Sequence, residues 1–229
     1  HLAHRRQRQM CIRDSLYAKQ ILRHARRGGK SWVHPMNTRV LGLTGGVGMG
    51  KSMAARLLKK VGLPVVDSDD LAREAVQPGT EGLAEIAGEF GGGFLKADGS
   101  LDRDKMASTV FQDEAARKRL EAIIHPRVRT VWEKQIDQWR EQKRPVGVVV
   151  IPLLFEVDLQ DSFDAVLCVA CTANTQRARL RERNWDDAQI TARIAAQMDI
   201  AQKMDLADHV LWNEGAPELL MDQVKEILS

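Results

Sequence analysis

The sequence predicts a three-layer α/β fold with a parallel central sheet, and three features of the chain support this prediction. An apolar run at 40–43 leads directly into a glycine-rich loop and then into a helix-forming stretch. Two later apolar runs, at 65–66 and 146–151, are continuous rather than alternating, as in parallel strands that are buried on both faces. The 229 residues suffice for one such domain with insertions.

The glycine-rich loop at 45–52 reads GGVGMGKS and matches the pattern G-x-x-x-x-G-K-[ST]. Glycines let backbone N–H groups point inward around an anion without obstructing side chains. Lys51 can reach the outer phosphates, the Ser52 hydroxyl can bind Mg²⁺, and the following helix N-terminus favours negative charge. A chance glycine-rich turn would lack these flanks, so we expect a nucleoside triphosphate site. Its residues are Gly46, Val47, Gly48, Met49, Gly50, Lys51 and Ser52.

Asp67 directly follows the second apolar run, at the carboxyl end of a predicted strand. Ligands of open α/β sheets bind beyond such strand ends. A carboxylate there can accept a proton from an attacking hydroxyl group or hold a Mg²⁺-bound water. The helix that follows needs an N-cap, which Ser68 or Asp69 can provide. We assign the chemistry to Asp67 and the cap to Asp69.

A connection of about 75 residues separates the second and third predicted strands, which is too long for a simple crossover. Its apolar residues follow helical spacing, and His125-Pro126 is expected to end one helix and start the next. This insertion is the natural place for a second substrate. Its helices are predicted from about 81 to 90, 103 to 111, 113 to 124 and 127 to 143.

The central strand ends at Pro152, where many phosphate-loop enzymes have an aspartate that helps to hold Mg²⁺. The chain also lacks a later Asn-Lys-x-Asp guanine-binding motif. Pro152 argues against a motor ATPase or a GTPase, and the missing guanine-binding motif favours an adenine nucleotide.

A helix predicted to open at Gln176 is rich in arginine. A solvated helix face would explain this composition. A kinase would instead use such cations on a closing lid, which neutralises phosphate charge and excludes water. The four arginines are Arg177, Arg179, Arg181 and Arg183. A second lid helix is predicted from about 188 to 198.

The three cysteines are an odd number without a secretory signal, which favours a reducing compartment, and we expect the cytoplasm. Cys168 and Cys171 lie in a predicted strand, where a separation of three places side chains on opposite faces. We therefore expect buried thiols rather than a redox or metal pair. The longest apolar run, at 146–155, is too short to span a bilayer.

Residues 1–38 differ from the rest, with nine Lys or Arg and one acid, whereas 39–229 have 25 basic and 30 acidic residues. The mildly acidic body gives no support to nucleic-acid binding. The first segment could be a transit peptide or a nucleic-acid-binding arm. We favour a non-native extension, because residues 10–15 resemble the translation of a transposon-end adapter and Met36 offers a start.

Taken in order, these motifs resemble the dephospho-coenzyme A kinase family from Arg39 to Ser229. The spacing of the later motifs makes the resemblance specific. The motifs are LTGGVGMGKS at 43–52, VDSD at 66–69, Ala72-Arg73, His125-Pro126, IPLLFE at 151–156, Gln176 with Arg179 and Arg183, Arg193 with Gln197, Ala207-Asp208, Asn213 and Gly215. In two departures, Met49 replaces the usual small residue and Asn184-Trp185 follows the lid arginines.

The resemblance implies a P-loop fold like that of nucleoside monophosphate kinases, with a helical substrate-binding insertion at about 69–144 and a small lid at about 176–199. The nucleotide core would comprise 39–68, 145–175 and 200–229. It also implies ATP-dependent phosphorylation of the ribose 3′-hydroxyl of dephospho-CoA, the last step of coenzyme A synthesis. We expect ATP and dephospho-CoA as partners, no nucleic acid or membrane, and a monomer or weak homo-oligomer.

Residue by residue, the resemblance implies that Asp67 is the base and that Lys51 with the loop amides holds ATP. Ser52 would hold Mg²⁺, and Arg179 or Arg183 would act from the lid. Arg73 and His125 would contact dephospho-CoA, while Asn213 would lie beside adenine. Two rival interpretations remain: a kinase for a nucleoside monophosphate or sugar, and a nucleotide-dependent switch or nucleic-acid-binding protein.

Overall fold

The computed structural model describes residues 38–228, so the predictions for the first segment lie outside the described residues except at Thr38. Five strands form one sheet in the order β2-β3-β1-β4-β5. The pairings of β1 with β3, β1 with β4, and β4 with β5 are parallel, which confirms the predicted α/β class. The strands are β1 (Arg39–Gly45), β2 (Val65–Asp67), β3 (Val146–Val150), β4 (Ala165–Ala170) and β5 (His209–Trp212).

The chain divides into two compact units, and the first comprises the described residues of His1–Val65 and Lys143–Ser229. Its core lies between the buried strands and two helices, with Leu43 of β1 aligned to Val150 of β3 and Leu167 of β4. Central β1 therefore delivers the glycine loop from the middle of the sheet. The helices of this unit are α1 (Lys51–Lys60), α6 (Ala173–Arg181), α7 (Asp187–Ala195), α8 (Ile200–Leu206) and α9 (Pro217–Leu228).

The second unit, Val66–Gln142, is mainly helical and has its own apolar core. Thr80 caps α3 by accepting the Leu83 N–H, and α2 packs on α5. Its helices are α2 (Ser68–Glu74), α3 (Glu81–Phe90), α4 (Arg103–Gln112) and α5 (Glu114–Glu141). One cluster of this core consists of the buried residues Val76, Leu83, Ile86, Leu101, Met106 and Ile123.

The predicted helix break at His125-Pro126 is wrong, because α5 runs through Pro126 as one helix of 28 residues. Proline removes one N–H donor from a helix interior, but packing on both sides can preserve the helix. Here Ile123 and Val128 are both buried on either side of Pro126. His125 is therefore an interior residue of α5 rather than a helix terminus.

The helices around the predicted lid also differ from expectation. The arginine-rich helix α6 begins at Ala173 rather than Gln176, because Thr172 caps it by accepting the Thr175 N–H. It ends at Arg181, so Arg183 lies beyond it. Helix α7 ends at Ala195, and the short helix α8 was not predicted.

Both cysteines in the described part are free and buried, as expected. Burial raises the pKa of the Cys168 thiol to about 12 and that of Cys171 to about 11. Thiols with such pKa values are protonated and unreactive near neutral pH. No helix within 38–228 has the length and apolar character needed to cross a membrane.

Candidate active site

The phosphate loop follows β1 and takes backbone conformations that only glycine adopts readily. Gly50 has φ +101°, and a Cβ atom there would lie 1.8 Å from Nδ2 of Asn213. Gly45 has φ +145°, and its Cβ atom would lie 2.2 Å from the Val169 carbonyl oxygen. The loop is thus built to bring its backbone close to other groups.

The N-terminus of α1 has neither a capping side chain nor an acidic residue in its first turn. Its N-cap is Gly50. The N–H groups of a helix N-terminus and the helix dipole together favour an anion. This end of α1 is therefore suited to a phosphate group.

Lys51 and Ser52 begin α1, as the loop motif requires. The Lys51 ammonium group donates to the carbonyl oxygens of Gly45 at 2.8 Å and Gly46 at 3.1 Å, so the lysine lies along the loop. The Ser52 side chain is exposed beside it. No group of three or more His, Cys, Asp or Glu side chains suited to a metal occurs in the described part of the chain. A hydroxyl ligand fits Mg²⁺, because proteins often supply it with only one or two ligands beside phosphates and water.

Two predicted site residues contact the loop through the Met49 carbonyl. Asn213, which is buried after β5, donates its side-chain N–H to Met49 O at 2.9 Å. Arg179 of α6 donates to Asn213 O at 3.2 Å and to Met49 O at 3.5 Å. The structure therefore brings Lys51, Ser52, Asn213 and Arg179 to one loop.

The unusual Met49 has a packing explanation. Its side chain is only 2% exposed and contributes to a cluster with Ala170 and Cys171. A flexible thioether side chain fills irregular apolar space well. Methionine at this position, in place of the usual small residue, is therefore compatible with the backbone contacts of the loop.

Sequence reasoning gave no role to Glu214, which holds the start of α6. Its carboxylate accepts the Thr172 N–H at 2.9 Å, the Thr172 hydroxyl at 3.1 Å and the Thr175 hydroxyl. Burial raises the pKa of Glu214, but these hydrogen bonds and nearby Arg179 outweigh burial and lower it overall. In the sequence, the feature that could have indicated this role is the position of Glu214, an acid directly after Asn213 at the end of a strand.

The two lid arginines proposed for catalysis have different surroundings. Arg179 lies against the loop, whereas Arg183 is exposed beyond α6 and its side chain has no hydrogen bond or ion pair within residues 38–228. Nearby Arg181 pairs with Asp187 at 2.8 Å. The described contacts therefore place only Arg179 at the loop.

In the second unit, Asp67 ends β2 and also caps α2, which corrects the assignment of the cap to Asp69. The helix begins at Ser68, two residues earlier than a cap at Asp69 would allow, so extended Asp67 is its N-cap and accepts the Asp69 N–H at 2.9 Å. Burial is the main cause that raises the pKa of Asp67, and the like charges of Asp69 and Asp70 add to it. The Asp69 N–H and Arg73 partly oppose this rise.

The predicted substrate contacts Arg73 and His125 also belong to the second unit. Arg73 donates to the Asp70 carboxylate at 2.6 Å, and both side chains are largely exposed. His125 is exposed on α5, the helix against which α2 packs. Both remain predicted ligands for a second substrate.

Substituting Gly50 by alanine is expected to raise the Kd for ATP about tenfold, because a positive φ and the clash with Asn213 each strain the loop. Isothermal titration calorimetry with ATP measures this change. Gly88→Ala is the matched control, since a Cβ atom at that position in α3 has no neighbour within 4 Å. An unchanged ATP affinity in Gly50→Ala would contradict a close-fitting loop.

The sequence of this chain is similar to that of known kinases. A family model described as dephospho-CoA kinase matches residues 39–218. The dephospho-CoA kinase of Anaeromyxobacter dehalogenans is 46% identical over 192 residues, covering 83% of this chain and 91% of that protein. That of Bdellovibrio bacteriovorus is 42% identical over 188 residues, covering 82% and 94%.

A solved structure extends the likeness to three dimensions. The crystal structure of TT1252 from Thermus thermophilus matches with a TM-score of 0.73 and 33% identity, covering 84% of this chain and 97% of that one. The chain therefore belongs to the dephospho-CoA kinase family.

Proposed function

We propose that this protein transfers the γ-phosphoryl group of ATP to the ribose 3′-hydroxyl of dephospho-CoA, giving coenzyme A and ADP. The observation that carries the proposal is the family match over 39–218, which includes an intact phosphate loop. Phosphoryl transfer depends mainly on alignment and on neutralisation of charge. The loop supplies both through its backbone and through Lys51.

On this proposal, the ATP phosphates bind along 46–52 at the N-terminus of α1, through loop N–H groups other than that of Val47, which donates to Gln197. Lys51 leaves its contacts with loop carbonyls to neutralise charge on the outer phosphates, and Arg179 adds a second cation. Asn213 holds the loop through Met49 and would lie beside adenine. We also assign Arg183 to the lid, although its side chain makes no hydrogen bond or ion pair within residues 38–228.

Ser52 would hold Mg²⁺, which supplies positive charge to the phosphates when it is bound together with ATP. The exposed hydroxyl at the start of α1 supports this assignment. ATP and dephospho-CoA are the proposed partners of the chain.

We assign Asp67 the role of general base on the 3′-hydroxyl group. Its raised pKa supports this role, because a stronger base accepts a proton more readily. Arg73 and His125 would contact dephospho-CoA from the proposed substrate-binding insertion at about 69–144. The proposed lid comprises about 176–199.

A coupled assay of ADP release tests the substrate. The full chain is supplied with Mg²⁺ and ATP, and dephospho-CoA is compared with AMP, CMP, uridine and gluconate. Turnover is expected with dephospho-CoA alone. Turnover with another acceptor would retain a kinase but contradict the proposed substrate, and ATP binding without any turnover would favour a nucleotide-dependent switch.

A further inference from the structure

Val47, in the middle of the phosphate loop, has both of its backbone polar groups bound by glutamine side chains. Its N–H donates to Oε1 of Gln197 at 2.9 Å, and its carbonyl accepts from Nε2 of Gln176 at 2.8 Å. The backbone fixes the orientation of both amides, because an N–H requires an oxygen partner and a carbonyl requires an N–H. The peptide groups on both sides of Val47 are therefore held by side chains from distant parts of the chain.

The two glutamines stand at opposite ends of the proposed lid segment. Gln176 lies on α6 and is only 5% exposed, so it belongs to the buried face of that helix. Gln197 is half-buried and follows the end of α7 by two residues. Both ends of the segment thus meet on one residue of the phosphate loop.

Gln197 is itself held firmly in place. The next residue, Met198, donates its backbone N–H to Oε1 of Glu156 at 3.0 Å, and the same oxygen accepts from buried Lys203 at 2.7 Å. Lys203 also donates to the Pro152 carbonyl at 2.9 Å, at the end of β3. These hydrogen bonds connect the C-terminal end of the lid segment to the end of β3 in the central sheet.

We propose that Gln176 and Gln197 are positioning residues that tie both ends of the lid segment to the phosphate loop through Val47. This inference rests on the proposed function, since it concerns how the loop and the arginine-bearing segment are aligned for phosphoryl transfer. A loop distorted by bound phosphates moves the Val47 peptide, and the two glutamines transmit that movement to α6 and to the end of α7. Neither glutamine needs to touch ATP.

The first test measures hydrogen exchange of the Val47 amide by NMR in the full chain, which requires no substrate. Gln197→Ala is expected to speed this exchange about tenfold, the effect of losing one hydrogen bond of ordinary strength. Gln197→Glu retains an acceptor and is expected to keep the exchange within about threefold of the original chain. Gln189→Ala is the matched control, because Gln189 is an exposed glutamine of α7 that contacts its own helix cap.

The second test separates a positioning role from a structural one by steady-state kinetics. Gln197→Ala is expected to lower kcat about tenfold and to change the Kd for ATP less than about threefold, while the melting temperature falls by only a few degrees. Gln176→Glu, which replaces the donor by an acceptor, is expected to lower kcat at least as much as Gln176→Ala.

Val47 exchange that is equal in Gln197→Ala and in the original chain would overturn the inference. So would faster exchange with unchanged kcat, or an equal response in Gln189→Ala. Failure of dephospho-CoA as the acceptor would leave the exchange result intact, so the inference and the proposed function can fail separately.

Discussion

Asp67→Asn is expected to lower kcat for dephospho-CoA phosphorylation by at least about 100-fold, because a neutral amide cannot accept the proton of the 3′-hydroxyl group. The Kd for ATP should change less than about twofold, since the nucleotide is assigned to the phosphate loop and α1. Asparagine caps a helix about as well as aspartate, so α2 should keep its start. Steady-state ADP release and calorimetry with ATP measure the two quantities.

The pH dependence of kcat/KM gives a second signature of this base. Burial raises the pKa of Asp67 above its ordinary 3.8, so the acid limb of the profile should lie above that value. The stability effect has the opposite sign to that of an ion-paired aspartate. The folded state retains the Asp67 proton to higher pH than the unfolded state, so stability from this group falls as pH rises through the folded pKa. Asp67→Asn should therefore be at least as stable as the original chain near neutral pH.

Asp69→Asn is the matched control, because this neighbouring carboxylate is exposed and its side chain does not cap α2. It should retain kcat within about threefold at neutral pH. Because the Asp69 charge raises the Asp67 pKa, its removal should move the acid limb to lower pH. Full activity in Asp67→Asn would remove this residue from the mechanism, whereas equal losses in both variants would indicate a general electrostatic effect.

The sequence was sufficient to predict the parallel sheet and the phosphate loop, because both depend on short, local patterns. Continuous apolar runs identify buried parallel strands, and the loop motif specifies its own flanks. Gly50 and Lys51 therefore occupy the places that their spacing implied. Helix α9 likewise follows a local pattern, since an amphipathic stretch begins at Pro217, a residue that a first helical position accepts.

Features that depend on distant contacts were not predictable in this way. The proline at 126 suggested a break, yet packing on both sides of it preserves α5. The Val47 contacts join residues 129 and 150 positions apart in the sequence, which no local pattern encodes. Asp67 was expected only to do chemistry, but the earlier start of α2 also makes it a cap.

Lys203 is the clearest case of a residue whose environment contradicts its type. A lysine in a short helix is expected to be solvated, yet this side chain is fully buried and donates to Glu156 and to the Pro152 carbonyl. Lys203→Met is expected to lower the free energy of unfolding by about 3 kcal/mol, because it leaves the Glu156 charge without its cation. Urea denaturation followed by circular dichroism measures this loss.

The cause of that loss can be separated from loss of packing, because methionine fills most of the space of the lysine stem. Oε2 of Glu156 already lacks a hydrogen-bond partner in the described part of the protein. Removal of Lys203 therefore leaves the Glu156 carboxylate with a single partner there, the Met198 N–H that donates to Oε1. The double variant Lys203→Met, Glu156→Gln should recover part of the stability, since the uncompensated charge is then gone. Lys118→Met, which breaks an exposed pair with Glu114, should leave the free energy of unfolding nearly unchanged. If Lys203→Met costs no more than Lys118→Met, the buried pair does not stabilise the fold, whereas a large loss without recovery in the double variant would assign it to packing.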